Sequence, residues 1–207
     1  MAVDRARVRK IPGVRFAKLL GTGKGFGVAE PDLTRWATLT VWDPGTPTPV
    51  LGGAPFTTQN VKRGTLLSLA PLRSRGTWSG RAPFETMSPE AAKAYDGPIL
   101  VLTRARLRPA QVGAFWRAIG PVARTLPEQP GLLAAFGVGE APLGFQGTVS
   151  VWRSAADIAD FAYRRPRHAA VVARTGQHRW YTEELFARFA VLDVTGDREV
   201  IGWKTSP

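Results

Sequence analysis

The chain contains no cysteine among its 207 residues. That excludes disulfide bonds, thiolate-ligated haem, protein-held iron–sulfur clusters and cysteine nucleophiles together. Electrons for any redox chemistry must therefore come from an external donor, a ferredoxin-like protein or another reductase. Histidine is nearly as scarce: His168 and His178 are the two copies, so imidazole chemistry is confined to the stretch from Phe161 to Phe189. Acidic residues are also few, 16 against 28 Lys and Arg, which leaves a net charge of +12. No apolar run approaches the roughly eighteen residues of a membrane span, and MAVDRARVRK is not followed by the apolar core of a signal peptide. A cytoplasmic location is expected, with peripheral membrane contact as its only membrane association.

What is present suits a folded chain. With 44% hydrophobic and 10% aromatic residues, it can bury one substantial core or two small ones. The basic surplus fits nucleic acid, anionic lipid or an acidic ligand such as a propionate-bearing cofactor, and it also arises from arginine-rich coding alone. The charges are scattered, and no recognition-helix, RNP or zinc-finger pattern accompanies them, so nucleic acid is not expected. Gly21 to Gly27, GTGKGFG, looks like a phosphate loop, but a proline and a strand follow it in place of a helix. It reads as a hairpin turn.

The order of elements suggests an imperfect duplication. Pro12-Gly13 opens VRFAKLLGTG, then a loop, then RWATLTVW ending at Trp42; Pro130-Gly131 opens LLAAFGVG, then a loop, then FQGTVSVW ending at Trp152. Gly76 to Trp78 and Gly202-Trp203 close the two copies. In the second, Pro98–Leu107 reads as a strand, and Pro109–Leu126 as an amphipathic helix with the stripe Val112, Phe115, Trp116, Ile119 and Val122. Strands near 132–138 and 148–152 follow, then a helix capped by Ser154, then a strand over 186–194. Strand-helix-strand-strand-helix-strand is the ferredoxin-like order. The expected fold is α+β: tandem ferredoxin-like repeats, sheet facing sheet in a dimeric α+β barrel-type sandwich, with the first repeat truncated at its N-terminus. The expected division is residues 1–80 for the incomplete repeat, 81–97 for a connector and 98–207 for the second repeat.

His168 follows Pro166, which restarts a helix, and shares a face with Val171, Val172 and Thr175. From the segment alone it is a helix residue bonded to a carbonyl, or a metal ligand beside a flat apolar group. His168, His178 and Glu183 or Glu184 also have the ligand types of a non-haem iron site, but they straddle a helix end and a loop.

KLLGTGKGFG, RWATLTVW, GTWSGRAPF, LTRARLRP followed by FWRAI, GVGEAP, SVWRS, and FAYRRPRH followed by RWYTEELFARFAVLD together resemble the spheroidene monooxygenase family of carotenoid-modifying enzymes. The resemblance runs from about Gly13 almost to the end. It implies a haem-dependent monooxygenase acting on a carotenoid or similar hydrophobic substrate, with haem b as cofactor and His168, at the FAY-x-x-x-x-H position, as the axial iron ligand. Arg164, Arg165, Arg174 and Arg179 would then pair with the propionates. Phe136, Trp152, Trp116 and Phe189 are candidate pocket walls, each also suited to plain core. A haem-free ligand-binding protein or cofactor-independent oxygenase of the same fold, or a haem enzyme for another oxidative tailoring step, would carry the same strings. A homo-oligomer is compatible with this fold.

Overall fold

A computed structural model describes residues 10–23, 31–47, 63–140, 145–163 and 180–204. Seven strands form one antiparallel sheet: β1 (Val14–Gly23), β2 (Pro31–Trp42), β3 (Thr65–Gly76), β4 (Ile99–Leu107), β5 (Leu132–Gly139), β6 (Phe145–Trp152) and β7 (Tyr181–Gly196). Three helices accompany them among the described residues, α1 (Pro89–Ala94), α2 (Val112–Thr125) and α3 (Ala155–Tyr163). The strand order is β2-β1-β5-β6-β4-β7-β3. From β4 onward, the order β5-β6-β4-β7, with α2 after β4 and α3 after β6, is the ferredoxin-like arrangement expected from the sequence.

The two halves meet differently from the expected pair of facing sheets. They share a single sheet, joined edge to edge where Gly21 pairs with Gly139 and Thr22 with Val138, and again along β3 and β7. The sheet curls, so its inner face packs on itself. Leu39, Leu67, Leu102, Val138, Val151 and Leu185, from six different strands, belong to one hydrophobic cluster. Phe16 of β1 and Trp78, just beyond β3, stand five strands apart in the order, yet their rings meet edge to face at 5.7 Å. Side chains alternate between faces along a strand, and each fully buried Leu or Val contributes about 1.5–3 kcal/mol. Seven strands supplying inward residues are what favour the curl.

The outer face carries the helices. Ile158 and Phe161 of α3 pack with Trp152, Leu132, Ile99 and Leu126, while Phe115 of α2 packs with Leu107 and Trp180. The predicted cap of α3 is present: Ser154 Oγ accepts from the Asp157 amide at 3.2 Å and donates to the Asp157 carboxylate at 2.7 Å. Such a cap is worth about 1 kcal/mol. The side chains of Ile119 and Val122 lie outside what the structure describes.

Strand β3 was not legible in advance. TLLSLAPLRSRG lacks clean alternation and contains Pro71, which argues against a central strand. β3 is an edge strand with a register shift between Pro71 and Arg73, where a proline and a bulge are tolerated. At its end Gly76 has φ +88°, and a Cβ there would lie 2.1 Å from the Glu184 carbonyl oxygen. Gly76→Ala should therefore destabilise the fold by about 2 kcal/mol or more. Urea unfolding measures this, and an unchanged midpoint would contradict the β3–β7 register.

Candidate functional site

One end of the curled interior is charged. Lys18 projects inward from β1 between Phe16 and Leu20, and Arg104 from β4 beyond Leu100 and Leu102. Their carboxylate partners are Glu140, directly after β5, and Glu183 of β7. Lys18 Nζ donates to Glu140 Oε1 at 2.6 Å and to Ser79 Oγ at 2.7 Å. Arg104 donates to Glu140 Oε2 at 3.1 Å and, through its other terminal nitrogen, to Glu183 Oε2. Trp78 Nε1 donates to Glu140 at 2.9 Å.

The turn Trp78-Ser79-Gly80-Arg81 completes the cluster. Ser79 and Gly80 have φ of 56° and 71°, the left-handed pair of a two-residue hairpin, and the Gly80 amide donates to Glu183 Oε1 at 2.7 Å. Burial pushes the Glu183 carboxyl up, but the Gly80 amide and the Arg104 guanidinium outweigh it and hold the group at about 2. Burial likewise opposes ionisation of Glu140, and hydrogen bonds from Lys18 and Trp78 with the nearby charges keep its pKa below the ordinary value. Both carboxylates are ionised at neutral pH, so neither is a general acid there. Among the described residues, the cavity beside Leu20, Trp78, Arg104, Val138, Glu140 and Gly147 has room for about one water molecule, too little for a cofactor or a polyene.

The outer face is lined differently. Register places Ala135, Ser150 and Val101 in one row across β5, β6 and β4, and Gly137, Thr148 and Thr103 in the next. These small side chains form a floor between two apolar clusters, one built on Trp152, Ile99 and Ile158, the other on Leu107, Phe115 and Trp180. Trp116 packs on the second cluster, and its indole N–H is buried without a hydrogen-bond partner.

The sequence-derived candidates divide among these places. Trp152 and Trp116 lie on the outer side, one in each flanking cluster. Phe136 and Phe189 point into the interior, on the opposite face of the sheet, so the structure does not gather the four around one cavity. His168, Arg164, Arg165, Arg174 and Arg179 lie outside the described residues, as does His178. Among the described residues no group of three or more potential metal-ligating side chains is present. Of the non-haem alternative, Glu183 is committed to Arg104 and Gly80, and Glu184 lies 3.9 Å from Arg75. The charged cluster was missed in the sequence, although a lysine and an arginine at inward positions of apolar strands signal it. Five of the strings that carry the family resemblance each supply one member: Lys18, Trp78, Arg104, Glu140 and Glu183.

Fold and strand order together define an antiparallel α+β protein of ferredoxin-like strand order, with its helices on the outer face of a curled sheet. No family model matches the sequence. The spheroidene monooxygenase of Rhodobacter capsulatus is 32% identical over 203 residues, 95% of this chain and 83% of that protein. The enzyme of the same name from Rubrivivax gelatinosus is 34% identical over 191 residues, 89% of this chain and 72% of that one. A third, from Cereibacter sphaeroides, is 28% identical and is spanned over 62% of its length. The chain belongs to the spheroidene monooxygenase family and is a monooxygenase. Among solved structures, Rv0793 from Mycobacterium tuberculosis aligns with a TM-score of 0.41 at 18% identity, covering 46% of this chain and 96% of that one. A ferredoxin-fold protein from Listeria monocytogenes, related to antibiotic biosynthesis monooxygenases, aligns at 0.34 and 12% identity, covering 90% and 86%. These alignments are too loose to carry an argument, and the fold assignment rests on strand order.

The ionised Glu183 stabilises the fold in a defined pH window. Its pKa is lowered from 4.5 unfolded to about 2 folded, so its contribution is complete above about pH 4.5 and is lost as pH falls towards 2. The stability difference between the wild type and Glu183→Gln, measured by denaturant unfolding, should be constant above pH 4.5 and shrink below it. A difference that does not change with pH would remove the Arg104–Glu183 pairing.

Proposed function

We propose that this monooxygenase uses haem b, held against the outer face of the sheet, to oxidise a carotenoid or a similar hydrophobic substrate with electrons from an external donor. The observation that carries the reading is the small-residue floor of Gly137, Thr148 and Thr103 between two aromatic clusters, on the face that bears α2 and α3. A flat apolar group needs such a floor. The inner face carries a hydrophobic cluster, and the cavity at its charged end is too small for such a group, which also favours the outer face. The orphaned Trp116 indole N–H fits a site that receives a polar atom from a ligand.

His168 would hold the iron, and Trp152 and Trp116 would border the ring. The haem supplies oxygen activation, and the chain supplies orientation and a dry surface. Substrate identity is supported by the name shared by the relatives. The tandem-repeat reading is supported by matching turns: Gly13 and Gly131, with φ of 81° and 76°, each open a strand after a proline. The order β2-β1 and β3 then matches an incomplete copy of β6-β5 and β7. Among the described residues no helix is long and apolar enough to cross a membrane. A hydrophobic substrate drawn from a bilayer would favour peripheral docking of this basic protein.

The test is an absorption spectrum after expression with added haem. The wild type should show a Soret band that His168→Ala lacks, and only the wild type should yield oxygenated product from an acyclic carotenoid given a reductase. Colourless protein that still oxygenates substrate would replace this reading with a cofactor-independent oxygenase.

A further inference from the structure

Arg73 and Arg188 stand directly opposite each other across β3 and β7. Both lie on the outer face, since Arg188 alternates with inward Ala187 and Phe189, and Arg73 follows the bulge that turns it out. Among the described residues neither side chain makes a salt bridge or hydrogen bond. Like charges facing across a strand pair are destabilising unless an anion lies between them. The carboxylate on this face of β7, Glu184, is four residues further along and sits near Arg75 instead. Outside the described residues the sequence has two acidic side chains, Asp4 and Glu30, and residues 48–62, 141–144 and 164–179 have none. A carboxylate from a ligand would meet the demand of this pair.

The position of the pair says which ligand. Arg188 is paired with Val101, and Val101 with Ser150, so the arginines extend the row that forms one edge of the small-residue floor. Adjacent strands lie about 4.8 Å apart, which puts Arg188 one strand from that floor and Arg73 two. Guanidinium presents a planar fork matched to carboxylate, and two of them side by side match two carboxylates on one molecule. We propose that Arg188 and Arg73 form a shelf that binds the two acid groups of a flat dicarboxylate lying on the floor. This rests on the haem reading above and adds two residues to it, on the sheet and outside the His168 segment.

A probe without iron separates the shelf from metal ligation. Metal-free protoporphyrin IX, titrated against the full chain and followed by tryptophan quenching, should bind the Arg73→Gln/Arg188→Gln double variant about tenfold or more weakly than the wild type. The dimethyl ester, whose acids are masked, should bind both proteins equally. Lysine at both positions should restore part of the difference, keeping charge without the fork. Equal affinity of wild type and double variant for the free diacid overturns the shelf, as does a wild type that binds neither. Circular dichroism and the unfolding midpoint of the double variant check that it is folded. Hemin with His168→Ala reads the other question. Arginine-dependent binding of the metal-free diacid without a wild-type Soret band removes haem and keeps the shelf; a Soret band without arginine dependence does the reverse.

Discussion

Two cations and two carboxylates enclosed at one end of the sheet set the terms for the rest of the molecule. Removing a charge from water costs several kcal/mol even after relaxation, and only a well-placed opposite charge with hydrogen bonds offsets it. Lys18, Arg104, Glu140 and Glu183 come from β1, β4, the end of β5 and β7, and the turn after β3 adds Trp78, Ser79 and the Gly80 amide. Strands far apart in the sheet order must therefore meet across the interior. Moving any one strand would strand a buried charge, a penalty of about 3–5 kcal/mol. The curl is held by hydrophobic packing along its length and by charge pairing at this end.

That constraint directs where chemistry can occur. The described interior is lined by apolar side chains over most of its length and by ion pairs at the end. The outer face has the helices, the aromatic clusters at both ends and the small residues between them. Ionised carboxylates inside the sheet are fixed structural anions, while Arg73 and Arg188 on the outer face have no side-chain partner among the described residues. The chain divides these charged residues by face, a division set by the two-residue period of the strands.

Much of the architecture was legible. β1 and β5 are apolar runs opened by Pro-Gly, the α2 stripe is periodic, and Ser154 with Asp157 marks a helix start; each is a local signal. β3 was not, because Pro71 and the bulge break its pattern and only its edge position makes them tolerable. For the candidate site, aromatic content named side chains but not the face each one occupies. Phe136 and Phe189 look like Trp152 in sequence and turn to opposite sides because register, which is non-local, sets direction.

Sequence by itself determined the family, through ordered strings along nearly the whole chain, and the exclusions that follow from missing cysteine, because composition and motif are properties of the chain as written. It also determined the ferredoxin-like order of the second half, since strand and helix periods are local. The joining of both halves into one sheet, the meeting of Lys18 with Glu140 and Arg104 with Glu183, and the pairing of Arg73 with Arg188 were decided only by tertiary structure. Each depends on residues dozens to more than a hundred positions apart, brought together by the curl and by strand register, and no local pattern encodes such a distance.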